Sequence, residues 1–296
     1  MYSAGLVANE TYTLKSEAEA ITAAQLQSGT AQTTSVFYAQ RANIKSFNEF
    51  QYFTGITKVL QCTFQECNTM TSIMLPNSVT ELEDYVFQGC SALTDITFST
   101  ALRQLGSSTF AACSSLVAVT LPTGFTMIGS NTFIDCSSLE TLYIPASTNA
   151  IGGNVFMNCG KLNIIVDANN QTFKSVEGVL FNKAGTKLIE YAKDAIQPEY
   201  EIPEGVTYVG NYAFYNRKNM TYIKFPSTLT RLGNDVISMC SNLKTLRFDG
   251  RTAPSLDNTS VFGTMNNTYT GRSTYNTGVN KLYLSQLNAT GFEEGL

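Results

Sequence analysis

Seven cysteines are the residues here most able to do chemistry: Cys62, Cys67, Cys90, Cys113, Cys136, Cys159 and Cys240. Thiolates that converge in sets of two to four hold zinc or exchange disulfides. All but Cys62 occupy one place in a recurring phrase, and from Cys67 to Cys159 they fall 23 residues apart, one thiol per repeat. That spacing delivers no paired C-x-x-C knuckle, so it argues against a metal site. It reads instead as a column of small buried apolar side chains, since free Cys is among the most buried residue types. One disulfide between stacked positions is the alternative. No metal and no cofactor is expected.

The rest of the reactive inventory is sparse. The chain has no His and no Trp, which removes serine triads, His-containing zinc sites and the usual acid and base near neutral pH. Neighbouring carboxylates such as Glu81, Glu83 and Asp84, or Glu293 and Glu294, read as solvated surface. A formal net charge of -4 gives no basic footprint for nucleic acid. These points exclude nucleic acid as a partner and argue against an enzyme. No apolar run is long enough to cross a membrane. The opening MYSAGLVANE lacks the basic and apolar regions of an export signal, so the chain is expected to be either cytosolic or a mature form whose signal is gone.

The elements that carry the cysteines come from the repeat itself. FQGCSALTDITFS, FAACSSLVAVTLP and FIDCSSLETLYIP begin at Phe87, Phe110 and Phe133, with Phe64 and Phe156 in the same register and Phe214 and Ile237 resuming it. Between phrases runs a second half, such as LPTGFTMIGSNTF from Leu121, in which Gly recurs at Gly106, Gly129, Gly152, Gly210 and Gly233. A recurring Gly marks either a positive φ or a close backbone approach. A period of this length with Leu-x-x-Ile-x-Leu at its centre predicts a solenoid, one coil per repeat, whose coils cannot bury their apolar faces alone. The fold expected is therefore α/β: a curved leucine-rich-repeat solenoid with a parallel sheet on its concave face, and turns and short helical segments elsewhere.

Three domains follow. Residues 1–43 form a flank with a short helical cap at 16–27, signalled by the capping-box spacing of Ser16 and Glu19. Residues 44–250 form the solenoid, interrupted near 170–195 by GVLFNKAGTKLIEYA, which reads as a β-hairpin looping at 182–185. Residues 251–296 form a C-terminal cap or truncated last coil ending in a strand-like KLYL.

The units CSSLVAVTLPTGFTMIGSNTF and YEIPEGVTYVGNYAF resemble the BspA-type leucine-rich repeat, and NEFQYFTGIT with the GVLFN insertion is similar to its Bacteroides-like members. The resemblance implies a secreted or cell-surface, non-catalytic protein, monomeric and uninserted in membrane, that adheres to an extracellular or matrix protein. The sequence departs from the family's pattern at Arg217, where Cys is expected, and at Ser99, Asp167 and Asp249, where Pro is expected.

Function is then expected at the outward strand positions: Ser72 and Met74, Asp95 and Thr97, Ala118 and Thr120, Thr141 and Tyr143, Ile164 and Val166, Tyr222 and Lys224, Thr245 and Arg247. Among them Tyr143, Ile164, Val166 and Tyr222 would form an apolar and aromatic patch suited to binding. A glycan-binding surface and a non-binding spacer are the alternative readings.

Overall fold

The computed structural model describes residues 41–193, 196–257 and the backbone of Lys281–Leu284. They divide into two compact units: the chain up to Cys159 with Val166–Asn170, and Gly160–Ile165 with Gln171 onward. The helix expected at 16–27 lies outside the described residues.

In the first unit the strands are β1 (Ser46–Phe47), β2 (Lys58–Val59), β3 (Ser72–Met74), β4 (Glu81–Leu82), β5 (Asp95–Thr97), β6 (Gln104–Leu105), β7 (Ala118–Thr120), β8 (Met127–Ile128), β9 (Thr141–Ile144) and β10 (Ala150–Ile151). They form two parallel columns. The expected Leu-x-x-Ile strands stack as β1-β3-β5 and β7-β9, while β2-β4-β6-β8-β10 make a second sheet from the other half of each coil. Pairs such as Ser72 with Asp95 and Ile73 with Ile96 sit in direct register.

The second column occupies ground where short helical segments were expected. Among the described residues the helical content is one 3-10 turn, Asn48–Tyr52. The reason lies in the phrase GSNTFIDC, which places two residues of left-handed backbone four apart, Asn131 at φ 57° and Asp135 at φ 61°. The pair recurs as Ser108 with Ala112 and Asn154 with Asn158. No α-helix can continue through such residues.

Side chains at equivalent positions stack into columns. The rings of Phe64, Phe87, Phe110 and Phe133 follow one another at centroid spacings of 5.4, 5.3 and 5.6 Å with nearly parallel planes. All seven cysteines are buried and none is in a disulfide. The Cys90, Cys113, Cys136 and Cys159 thiols each donate to a Phe carbonyl of the preceding coil, Phe64, Phe87, Phe110 and Phe133 respectively, at 3.0 to 3.2 Å. Burial holds the thiols of Cys90, Cys113 and Cys136 well above the ordinary thiol range and pushes that of Cys67 up to about 12, so they pack as neutral groups.

The recurring glycine answers to close approach rather than to positive φ. A Cβ on Gly129 would stand 2.5 Å from the Gly106 carbonyl carbon, and one on Gly106 equally close to that of Glu83. Only a bare Cα lets successive coils turn this corner in contact.

The second unit opens with β11 (Asn163–Val166), whose last residue belongs to the first. It continues through β12 (Phe173–Val176), β13 (Val179–Asn182), β14 (Lys187–Glu190), β15 (Glu199–Glu201), β16 (Tyr208–Val209), β17 (Tyr222–Phe225), β18 (Arg231–Leu232), β19 (Thr245–Phe248), β20 (Ser255–Leu256) and β21 (Lys281–Leu284). The insertion is an antiparallel β12-β13-β14 meander, and β13 and β14 join through residues 183–186. Its last strand pairs parallel with β16, Leu188 opposite Val209, and so rejoins the coils. From there β16-β18-β20 extend one sheet and β15-β17-β19-β21 form the other.

A candidate recognition face

The outward positions of β3, β5, β7, β9, β15, β17 and β19 are placed by strand alternation alone: the intervening residue packs inward and its neighbours face solvent. In the first unit this puts Asp95, Thr97, Ala118 and Thr120 in the open, with Ser72, Met74, Thr141 and Tyr143 half-buried. The face is mostly small and uncharged. Tyr143 is anchored there: its hydroxyl donates to Asp167 Oδ2 at 2.6 Å, and that bond, with some desolvation, holds the phenol above its ordinary pKa.

One expected member is displaced. Ile164 is buried, at 1% exposure, and Ile165 faces out at 41%, while Val166 is half-buried. The insertion is the cause: Ile164 N–H donates to the carbonyl of Gly178 in the β12-β13 turn, which draws β11 onto the meander and slips its alternation by one residue. The patch expected from Tyr143, Ile164, Val166 and Tyr222 therefore loses Ile164.

In the second unit the face is charged rather than apolar. Glu199, Tyr222 and Thr245 share one row across β15, β17 and β19, and Glu201, Lys224 and Arg247 the next. Lys224 Nζ reaches Glu201 Oε2 at 3.0 Å and Asp249 Oδ2 at 3.4 Å, and Arg247 Nε reaches Asp249 Oδ1 at 2.7 Å. Asp249 feels some desolvation, which Arg247 and Lys224 outweigh, so its carboxyl sits below the usual range. Beside this chain of charges, Glu199, Glu201, Thr221, Tyr222, Lys244 and Thr245 line an open depression of about 530 Å³.

Sequence reasoning missed Glu199, Glu201 and Asp249. The two glutamates precede Tyr222 and Lys224 by one period, but their coil follows the insertion and has no F-x-x-C phrase to reveal its register. Tyr191 stands in the Phe column there, its ring 5.1 Å from that of Phe214. The departures from the repeat pattern are polar substitutions with partners. Ser99 Oγ donates to the Asn77 carbonyl and accepts from Ala101 N–H, and Asp167 receives Tyr143. Arg217, buried where Cys was expected, pairs with the buried carboxylate of Glu190 on β14. Burial pushes Glu190 up to about 7 against the pull of that guanidinium.

Among the described residues no group of three or more His, Cys, Asp or Glu is placed to hold a metal ion, and no helix is long and apolar enough to cross a membrane.

Stacked coils of one period, two parallel columns and Phe and Cys files define a leucine-rich-repeat solenoid. The chain belongs to the BspA type leucine rich repeat region family, which it matches in six copies over residues 34–163 and 191–277. Among solved structures it is similar to a leucine-rich repeat protein from Eubacterium ventriosum, at 26% identity and a TM-score of 0.63, over 76% of this chain and 66% of that one. The chain thus spans just under two thirds of that protein. It is also similar to the pneumococcal vaccine antigen PcpA, at 19% identity, TM-score 0.48, over 78% and 72% of the two chains. A leucine-rich repeat protein from Bacteroides ovatus is similar at 20% identity, TM-score 0.43, over 69% and 64%. No curated protein matches the chain.

Proposed function

We propose that the chain is a recognition module of the bacterial cell surface or secreted fraction, binding an extracellular protein through the outward face of its longer strands. The observation that carries this reading is the register of that face: within the ladders β1-β3-β5, β7-β9 and β15-β17-β19, side chains from consecutive coils stand in straight rows about 4.8 Å apart, backed by the buried Phe and Cys columns. A broad preordered surface needs little ordering on binding. The surface location and the adhesive role rest on the family resemblance.

The test is binding of the immobilised protein to a panel of extracellular-matrix proteins, with Tyr143→Ala and Tyr222→Ala made separately so that each unit is assayed by its own residue. Saturable binding to at least one protein, weakened about tenfold or more by one substitution at unchanged melting temperature, is expected for an aromatic anchor at an interface. Absence of binding to every member of the panel would leave the solenoid as a spacer.

A further inference from the structure

We propose that the depression around Tyr222 is a subsite for a single neutral hexopyranose ring. This goes beyond recognition of a protein surface, and it stands or falls on the second unit alone.

The chemistry of the lining selects the ligand. Tyr222 is half-buried between Glu199 and Thr245 in the same row, so its ring is the aromatic member of an otherwise polar lining. The C–H face of a pyranose packs against such a ring by dispersion. Glu199 and Glu201, on the same side of β15, offer carboxylate acceptors to adjacent sugar hydroxyls, and Lys244 and Thr245 offer donors.

Charge decides between ligand classes. The face carries Glu199, Glu201 and Asp249 against Lys224, Lys244 and Arg247, which cancel. A cationic ligand drawn to Glu199 meets Lys224 and Lys244, and an anion drawn to the lysines meets the two glutamates. An uncharged polyol satisfies both kinds of group without an uncompensated charge.

The experiment is saturation-transfer NMR on the whole protein with methyl α-glucopyranoside, methyl β-galactopyranoside and methyl α-mannopyranoside, with glucuronic acid and glucosamine as charged comparators. At least one neutral glycoside is expected to bind with a Kd on the order of 1 mM. Binding should weaken about tenfold or more in Tyr222→Ala and in Glu199→Gln, the second an exposed position that tests the site even if the first unfolds. Tyr143→Ala, in the other unit, should leave it unchanged. No transfer to any neutral glycoside at about 50 mM, tighter binding of either charged sugar, or equal binding in Glu199→Gln would overturn the proposal. Because free glycosides are the probe, failure here does not touch protein recognition, and failure of the matrix panel does not touch this site.

Discussion

Each residue column in this protein performs one job, and single substitutions should report it. Phe110 is fully buried between the rings of Phe87 and Phe133, so Phe110→Ala should cost about 3–5 kcal/mol, read by chemical denaturation. The Cys column packs as neutral thiol, so a thiol-reactive dye should label none of Cys67, Cys90, Cys113 or Cys136 until the protein is denatured, whereas rapid native labelling would contradict that packing. Glu190 supplies a pH test. Its carboxyl titrates near 7 in the fold against an ordinary 4.5, so the folded state holds its proton more tightly. The stability this gives is complete below about 4.5 and is lost as pH rises through about 7. The melting temperature should fall over that interval, and Glu190→Gln should flatten the slope.

At the scale of elements, the strand-turn-strand coil is set by where the backbone is allowed to bend. Ala112 holds φ 60° with neither the local hydrogen bonding of Asn or Asp nor the freedom of Gly. Ala112→Gly should therefore stabilise the coil by about 1 kcal/mol, while Gly129→Ala, which drives a Cβ into the Gly106 backbone, should destabilise it. These positions also show how far the sequence could be read. The first strand column was legible because alternation and a fixed period coincide in LETLYIP. The second column was not, because its strands are two residues long and leave no alternation to see. The hairpin at Val179–Glu190 was visible in its two apolar runs. Its effect on β11 was not, since a backbone bond from Ile164 to Gly178 has no sequence signal. The same insertion hid Glu199 and Glu201, which reach the recognition face only once Tyr191 is seen to stand in the Phe column.

For the whole molecule, the 23-residue coil is the structural unit, because every side-chain column, both strand columns and the outward rows follow from it. A solenoid built this way gains stability from contacts between neighbours, so its length is adjustable in whole coils and in no other increment. The most direct measurement is the unfolding of two internal deletions. Removing 110–132 takes out one full coil and brings Phe133 onto Phe87, while removing 110–121 takes out about half a coil and throws every column out of register. The full-coil deletion is expected to keep the far-ultraviolet circular dichroism of the parent and one cooperative melt at modestly lower temperature, whereas the half-coil deletion loses both. Equal damage from the two deletions, or a folded half-coil variant, would contradict it.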